Sequence, residues 1–304
     1  IKERHAYNLL THVNPYTGKA VGQDEAYGIY YVFNDGGGVK RILEGSWTNW
    51  PAYFSEKFRL RWNDWLIDRY TDDAKLRAAW GELADGESLK QRAVRLGPSL
   101  SQRNDYPEQR ADDFVRFVIE MIDDYHQDYR AYCRSLAPEG VGVNVAPFNF
   151  DTQYRPSLAW NYLQSRGDVN SFGMYFWDLE SQLTEPPSAY VMDSHTVEGV
   201  PTVIYETNHG RPGRYRAEYP MKVATMALRQ DWDGVFWHYF HKSSGAVDEG
   251  YLAQAMSPLS KSHYWTAVHT QDDPVMVSSL AAARQMFLHG KLDKAEDPVV
   301  VEVG

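Results

Sequence analysis

The chain has 304 residues, 41 acidic and 31 basic, for a net charge of −10. That length fits one domain of roughly 250–300 residues or two smaller ones. At 43% hydrophobic and 24% charged it is not a disordered polymer, and no apolar run approaches the ~20 residues that span a bilayer.

Strand and helix signals alternate along the chain. Residues 26–34 (AYGIYYVFN) are aromatic and β-branched and run into Asp35-Gly36-Gly37-Gly38, which reads as a buried strand ending in a glycine-rich loop. Phe54, Phe58, Trp62, Trp65 and Leu66 recur at helical spacing, so residues 53–70 form a helix, and a shorter one covers 73–83. A long helix over 108–136 carries Phe114, Phe117, Val118, Met121, Ile122 and Tyr125 on one side and stops at Pro138-Glu139-Gly140. Residues 141–148 form the next strand, 157–164 a helix, and 169–177 a strand. After a proline-containing loop and a short helix near Ser194, PTVIYE (201–206) is a strand, 215–230 a helix and GVFWHYF (234–240) a strand. A last helix, 275–289, ends at Gly290. Five strands separated by helices or long loops predict a parallel sheet with helices outside. Eight strands complete a (β/α)8 barrel, so three units are wanting.

The acid excess argues against nucleic acid, whose phosphates reward clustered Lys and Arg. The single cysteine, Cys133, permits neither a disulfide framework within the chain nor a cysteine zinc site. It reads as a passive thiol, because no histidine is placed to activate it. Asp123 and Asp124 on the long helix read as a solvated face. His238 and His241 have metal-like spacing without a third ligand, so no metal is expected, and no cofactor is implied. With 10 Trp, 21 Tyr and 12 Phe, the chain offers flat apolar faces with polar tips.

Two strand ends carry carboxylates: Asn34-Asp35, and Glu206 in Tyr205-Glu206-Thr207-Asn208. In a parallel sheet the C-terminal strand ends lie on one face, so Asp35 and Glu206 are placed to share a pocket. Two carboxylates astride a scissile bond are what glycoside hydrolysis needs. Acids at strand ends also serve simply to cap the next helix, and the pattern leaves both readings open.

Leu9 to Gly18 (LLTHVNPYTG), followed by a short acidic stretch and an apolar strand, resembles a segment of large bacterial glycoside hydrolases of the retaining (β/α)8 clan that includes cellulases and β-galactosidases. Arg61 to Leu66, Arg69-Tyr70 and LRAAWG (76–81) resemble helices of that family. Residues 168–178 resemble its sixth strand, and Glu206 to Gly234 its seventh strand, helix and entry to the eighth. The resemblance implies a partial TIM barrel, strands four to eight, over residues 1–296, with 297–304 opening a following β domain or linker. It implies an internal piece of a longer chain that begins at Ile1 without Met or a signal-peptide pattern. The substrate implied is a plant or algal polysaccharide or its oligosaccharides. Because polymers cannot enter a cell, a secreted or periplasmic location is expected.

In that family the fourth strand ends in Asn-Glu. The resemblance makes Glu206 the nucleophile and Asp35, one methylene shorter than the family's Glu, the acid/base. Asn34 matches the asparagine that binds the sugar 2-hydroxyl. A carboxyl set back roughly 1 Å can cost on the order of 10²-fold in rate, and Gly36-Gly37-Gly38 is placed to let the backbone move forward. Three outcomes stay open: a working Asp35, an acid from elsewhere, or a barrel that binds sugar without cleaving it. Tyr175, near the end of the sixth strand with Trp177, is the expected partner of Glu206. Trp237 on the eighth strand is the expected floor of the sugar site, with core packing as the alternative. Asn208 and His209 are placed for the rim. Trp47 and Trp50 are loop aromatics for sugar stacking or loop packing, and Asn144 and Asn149 bind hydroxyls or cap backbone.

Overall fold

The computed structural model describes residues 2–33, 38–137, 141–145, 158–176, 181, 194–209, 213–238, 273–290, 292–296 and 299–302. Its contacts group into two compact units. One comprises residues 1–25 and 35–139, the other residues 26–34 and 140–304.

The first unit is helical: α1 (Lys2–Leu10), α2 (Gly38–Leu43), α3 (Ala52–Tyr70), α4 (Asp73–Trp80) and α5 (Glu108–Arg134). The spacing of Phe58, Trp62 and Leu66 on α3 and of Phe114, Phe117 and Val118 on α5 gives each helix one apolar stripe, and these stripes form the unit's core with Leu76 and Trp80. Phe114 sits so close to Gly97 that a Cβ there would lie 2.3 Å from the ring, so only glycine fits. Buried polar groups are satisfied inside this core. Asp113 accepts from the Tyr70 hydroxyl at 2.6 Å and the Trp80 indole at 2.7 Å. Arg110 and Glu87 make a buried two-pronged pair at 2.9 and 2.8 Å. Asp72 caps α4 through the N–H groups of Ala74 and Lys75.

Three sequence expectations change here. The glycine-rich segment leads into α2, and α1 was not anticipated from the pattern of its nine residues. Asp123 is buried and accepts from Gln127 at 2.9 Å, because α5 is covered on that side too; Asp124 is exposed. Cys133 is buried, and desolvation pushes its thiol up to about 11, which suits a passive role.

The second unit is a mixed helix–strand unit built on parallel sheets. It contains β1 (Ile29–Phe33), β2 (Gly142–Val145), α6 (Leu158–Ser165), β3 (Asn170–Phe176), β4 (Thr202–His209), α7 (Glu218–Gln230), β5 (Gly234–Trp237) and α8 (Pro274–His289). β1 pairs parallel with β2, and β3, β4 and β5 form a parallel sheet in chain order. Side chains join the two sheets: Asn144 on β2 donates to the Ser171 hydroxyl on β3 at 2.7 Å. The region near Ser194 is a turn rather than a helix, and residues 299–302 are exposed and outside any strand.

One device recurs at the starts of the strands. Asp168, just before β3, accepts the N–H of Val143 on β2 at 2.9 Å; Asp233, just before β5, accepts the N–H of Thr202 on β4 at 2.8 Å. Each carboxylate takes a backbone donor near the start of the preceding strand; for Asp233 that strand is the paired neighbour β4, and the bond holds the β4–β5 register.

The core of this unit lies between the sheet and its helices: Trp160 from α6, Phe172 and Ile204 from the strands, Tyr219, Val223 and Ala227 from α7, and Trp232. α8 packs on α7. Arg216 and the buried Asp273 pair at its start, and Gly290 ends it where a Cβ would lie 2.2 Å from the Met286 carbonyl.

On the face of β4 away from its helices the two sheets meet: the rings of Tyr31 on β1 and Tyr205 on β4 lie 5.6 Å apart between centroids. Burial pushes the Tyr31 phenol up to about 12, with the Ser171 and Asn144 side chains beside it pulling slightly the other way.

The buried His126 of α5 gives a pH prediction. Desolvation pushes its imidazole down to about 4, with Asp123 opposing. The unfolded chain binds a proton near pH 6.5 and the folded chain does not until about pH 4. Stability contributed by neutral His126 is therefore full above pH 6.5 and lost on acidification towards pH 4. In urea titrations, the unfolding free energy of the parent relative to His126→Gln should fall across that window; a pH-independent difference would contradict this assignment.

Candidate active site

β4 carries the carboxylate that sequence reading singles out. Its β-branched start, Thr202-Val203-Ile204, suits a buried parallel strand, and the strand runs on past Glu206 to His209. Ile204 belongs to the core against α7. Thr207 faces the same way, its hydroxyl 2.5 Å from that of Tyr219 on α7. Same-face residues on a regular strand are separated by an even number of positions, and here the interval is odd.

The register accounts for this. Phe172 pairs with Ile204, but the next pair is Gly173 with Glu206; Ile204 pairs with Val235, and the next pair is Thr207 with Trp237. Two residues of β4, Tyr205 and Glu206, therefore stand opposite one residue of β5. This is a β-bulge, a feature that re-aims side chains. Both turn from α7 to the opposite face: Tyr205 meets Tyr31, and Glu206 meets His238, with 3.6 Å between Oε1 and the imidazole Nε2. The neighbour of Glu206 in register on β3 is Gly173, which has no side chain to crowd it.

The end of β5 is held against the bulge on both sides. The N–H of His238 donates to the Thr207 carbonyl at 2.9 Å. The Asn208 carboxamide donates to the His238 carbonyl at 2.9 Å and accepts the His209 N–H at 2.9 Å. Tyr219 below is wholly buried, and desolvation holds its phenol far above the ordinary tyrosine range, so it stays neutral as Thr207's partner.

The other sequence candidates divide clearly. Asn208 is buried and its carboxamide is engaged by backbone on both ends, not presented at a rim. Trp237 packs edge-on against Tyr219, at 6.1 Å, on the α7 side; this is core packing, and it follows from sharing a register position with Thr207. His209 is buried with its ring 5.8 Å from Tyr219. Trp47 and Trp50 belong to the first unit, packed on Phe114 and Phe58 respectively, the loop-packing role. Asn144 is buried and serves the Ser171 hydroxyl. The backbone of Tyr175 pairs with that of Asn208, and its side chain lies outside what the structure describes. Asn34, Asp35, Asn149, Trp177 and His241 lie outside the described residues. Sequence reading set His238 aside as a metal-like histidine and overlooked the Tyr31–Tyr205 pair; the signal for both was the bulge, which a regular alternation conceals.

Comparison with known proteins gives a likeness in structure only. No protein-family model and no curated protein matches the sequence. Among solved structures, PfGH50B is similar with a TM-score of 0.49 and 16% identity, over 76% of this chain and 33% of that one. The agarase AgWH50C is similar with a TM-score of 0.45 and 12% identity, over 76% of this chain and 32% of that one. The chain thus spans about a third of the length of each.

Asn208 is the testable element of this geometry. Asn208→Ala strips one buried donor and one buried acceptor of their partner, and each such loss costs about 1–3 kcal/mol. Urea titration should show a loss of about 2–6 kcal/mol, the sum of the two, with an unchanged slope; an unaltered midpoint would mean that the carboxamide holds nothing.

Proposed function

We propose that this chain carries strands four to eight of a retaining glycoside hydrolase (β/α)8 barrel, with Glu206 as nucleophile and Asp35 as acid/base. The observation that carries the reading is the bulge at Tyr205-Glu206, which turns a strand-borne carboxylate out of the helix-facing core onto the opposite face of a parallel sheet. Asn34 and Asp35 follow β1 directly at its C-terminal end, the end at which such sheets keep their sites. The resemblance of residues 206–234 to the family's seventh strand, helix and eighth-strand entry supports the same assignment.

In this reading residues 1–296 are one barrel domain within a longer exported chain, and residues 297–304 lead to the next domain. The substrate is a plant or algal polysaccharide or its oligosaccharides, with Asn34 and Tyr175 as sugar contacts. Glu206 attacks the anomeric carbon as Asp35 protonates the departing glycosidic oxygen. A covalent glycosyl ester forms on Glu206. Asp35 then takes a proton from water, which attacks the same carbon and releases Glu206. A second reading, a barrel that binds sugar without cleaving it, draws on one specific feature: the acid/base position is Asp, whose carboxyl is set back from the family's Glu.

The test uses the intact protein bearing this chain, a panel of aryl glycosides and algal and plant oligosaccharides, and a mechanism-based fluoroglycoside inactivator. Hydrolysis should be seen, with label recovered on Glu206, and Asp35→Asn should slow turnover about 10²–10⁴-fold. Calorimetric binding without turnover or label supports the binding protein instead. Neither binding nor label would overturn both readings.

A further inference from the structure

The placement of His238 extends the proposed function and rests on it. We propose that His238 is a positioning residue for the nucleophile: its imidazole, at the end of β5, orients the Glu206 carboxylate and stabilises its negative charge.

Three observations carry this. First, the bulge sends Glu206 towards β5, not towards α7, and His238 is the side chain it meets there, Nε2 to Oε1 at 3.6 Å. Both side chains are largely shielded from water, at 19% exposure for His238 and 15% for Glu206. An ionised carboxylate at such a site gains more from a neighbouring donor than it would in bulk water. Second, the backbone of His238 is fixed from two directions by the residues that follow Glu206, through the Thr207 carbonyl and the Asn208 carboxamide. The pair is thus built into one rigid strand junction; it does not depend on two loops finding each other. Third, the preceding residue, Trp237, is anchored on Tyr219 on the opposite face of the strand, which leaves His238 to project towards Glu206.

The chemistry follows from charge. Free Glu206 is an anion that the imidazole 3.6 Å away stabilises and aims. In the glycosyl ester that charge is gone, and it returns as water displaces the carboxylate. An imidazole held beside Oε1 therefore lowers the barrier to the second step by stabilising the departing carboxylate electrostatically, and in the first step orients the oxygen that faces the sugar. Proton transfer to and from the substrate is left to Asp35, so His238 acts only through Glu206.

The experiment compares the parent, His238→Phe and His238→Ala in the intact protein, using an aryl glycoside with an activated leaving group. His238→Phe should lower kcat on the order of 10²-fold, with KM falling alongside it as the glycosyl ester accumulates and burst kinetics appear. In His238→Ala, added imidazole should restore a large part of the rate, which a purely structural role would not allow. Circular dichroism and melting of all three proteins separate this from unfolding; if His238→Phe does not fold, the imidazole rescue decides alone. Parent-like kcat in His238→Phe, or a slow His238→Ala that imidazole leaves slow, would overturn the inference. Failure of the inactivator to label Glu206 in the parent would overturn the proposed function itself, and the two failures are thereby distinct.

Discussion

Two side chains of β4, Ile204 and Thr207, are held against the same helix although an odd number of positions separates them. A pleated strand cannot satisfy both without an extra residue. Tyr205 and Glu206 absorb that mismatch by sharing the space of one, and both leave the helix-facing core for the opposite face. The position of Glu206 is therefore set by what its neighbours bury. Apolar packing at Ile204 and a buried hydroxyl pair at Thr207 and Tyr219 aim the carboxylate, and Glu206 needs no favourable contact of its own to be there.

The surroundings keep that arrangement stiff. Asp168 ties the start of β3 to β2, and Asp233 ties the start of β5 to that of β4, so the β4–β5 register is fixed ahead of the bulge. At those ends, the Asn208 carboxamide and the Thr207 carbonyl tie β4 to β5. The Tyr31–Tyr205 contact joins side chains from the two sheets on the face away from the helices.

Helical spacing made α3 and α5 readable to within two residues, because Phe58, Trp62 and Leu66, and Phe114, Phe117 and Val118, repeat without interruption. All five strands were readable, since β-branched and aromatic runs bounded by glycine and aspartate have few other fates. The glycine-rich segment misled: Gly38 begins α2, and a loop pattern does not reveal that Val39, Ile42 and Leu43 have a core to join. Glu206 was singled out from its strand end. Trp237 was open between the floor of a sugar site and core packing, and the structure shows the packing; His238 was set aside on its metal-like spacing. The bulge reverses the pairing, and nothing in the local composition of TVIYETN encodes it, because the anchor that creates it, Tyr219, lies a helix away. Asn208 has a polar side chain at a strand end, and only its backbone partners distinguish a clamp from a ligand.

The resemblance to retaining glycosidases supplies the chemistry, and the bulged strand supplies one half of the geometry it needs. The other half is the carboxyl that follows Asn34, shorter by one methylene than the family's. The most direct measurement is the separation of the Asp35 and Glu206 carboxyl groups in a crystal structure of the intact protein with a sugar analogue bound. A separation of about 5–5.5 Å, the spacing of a retaining pair, is expected, with the anomeric carbon between the two carboxyls. A separation of about 6.5 Å or more, the range of inverting pairs and beyond, would contradict it.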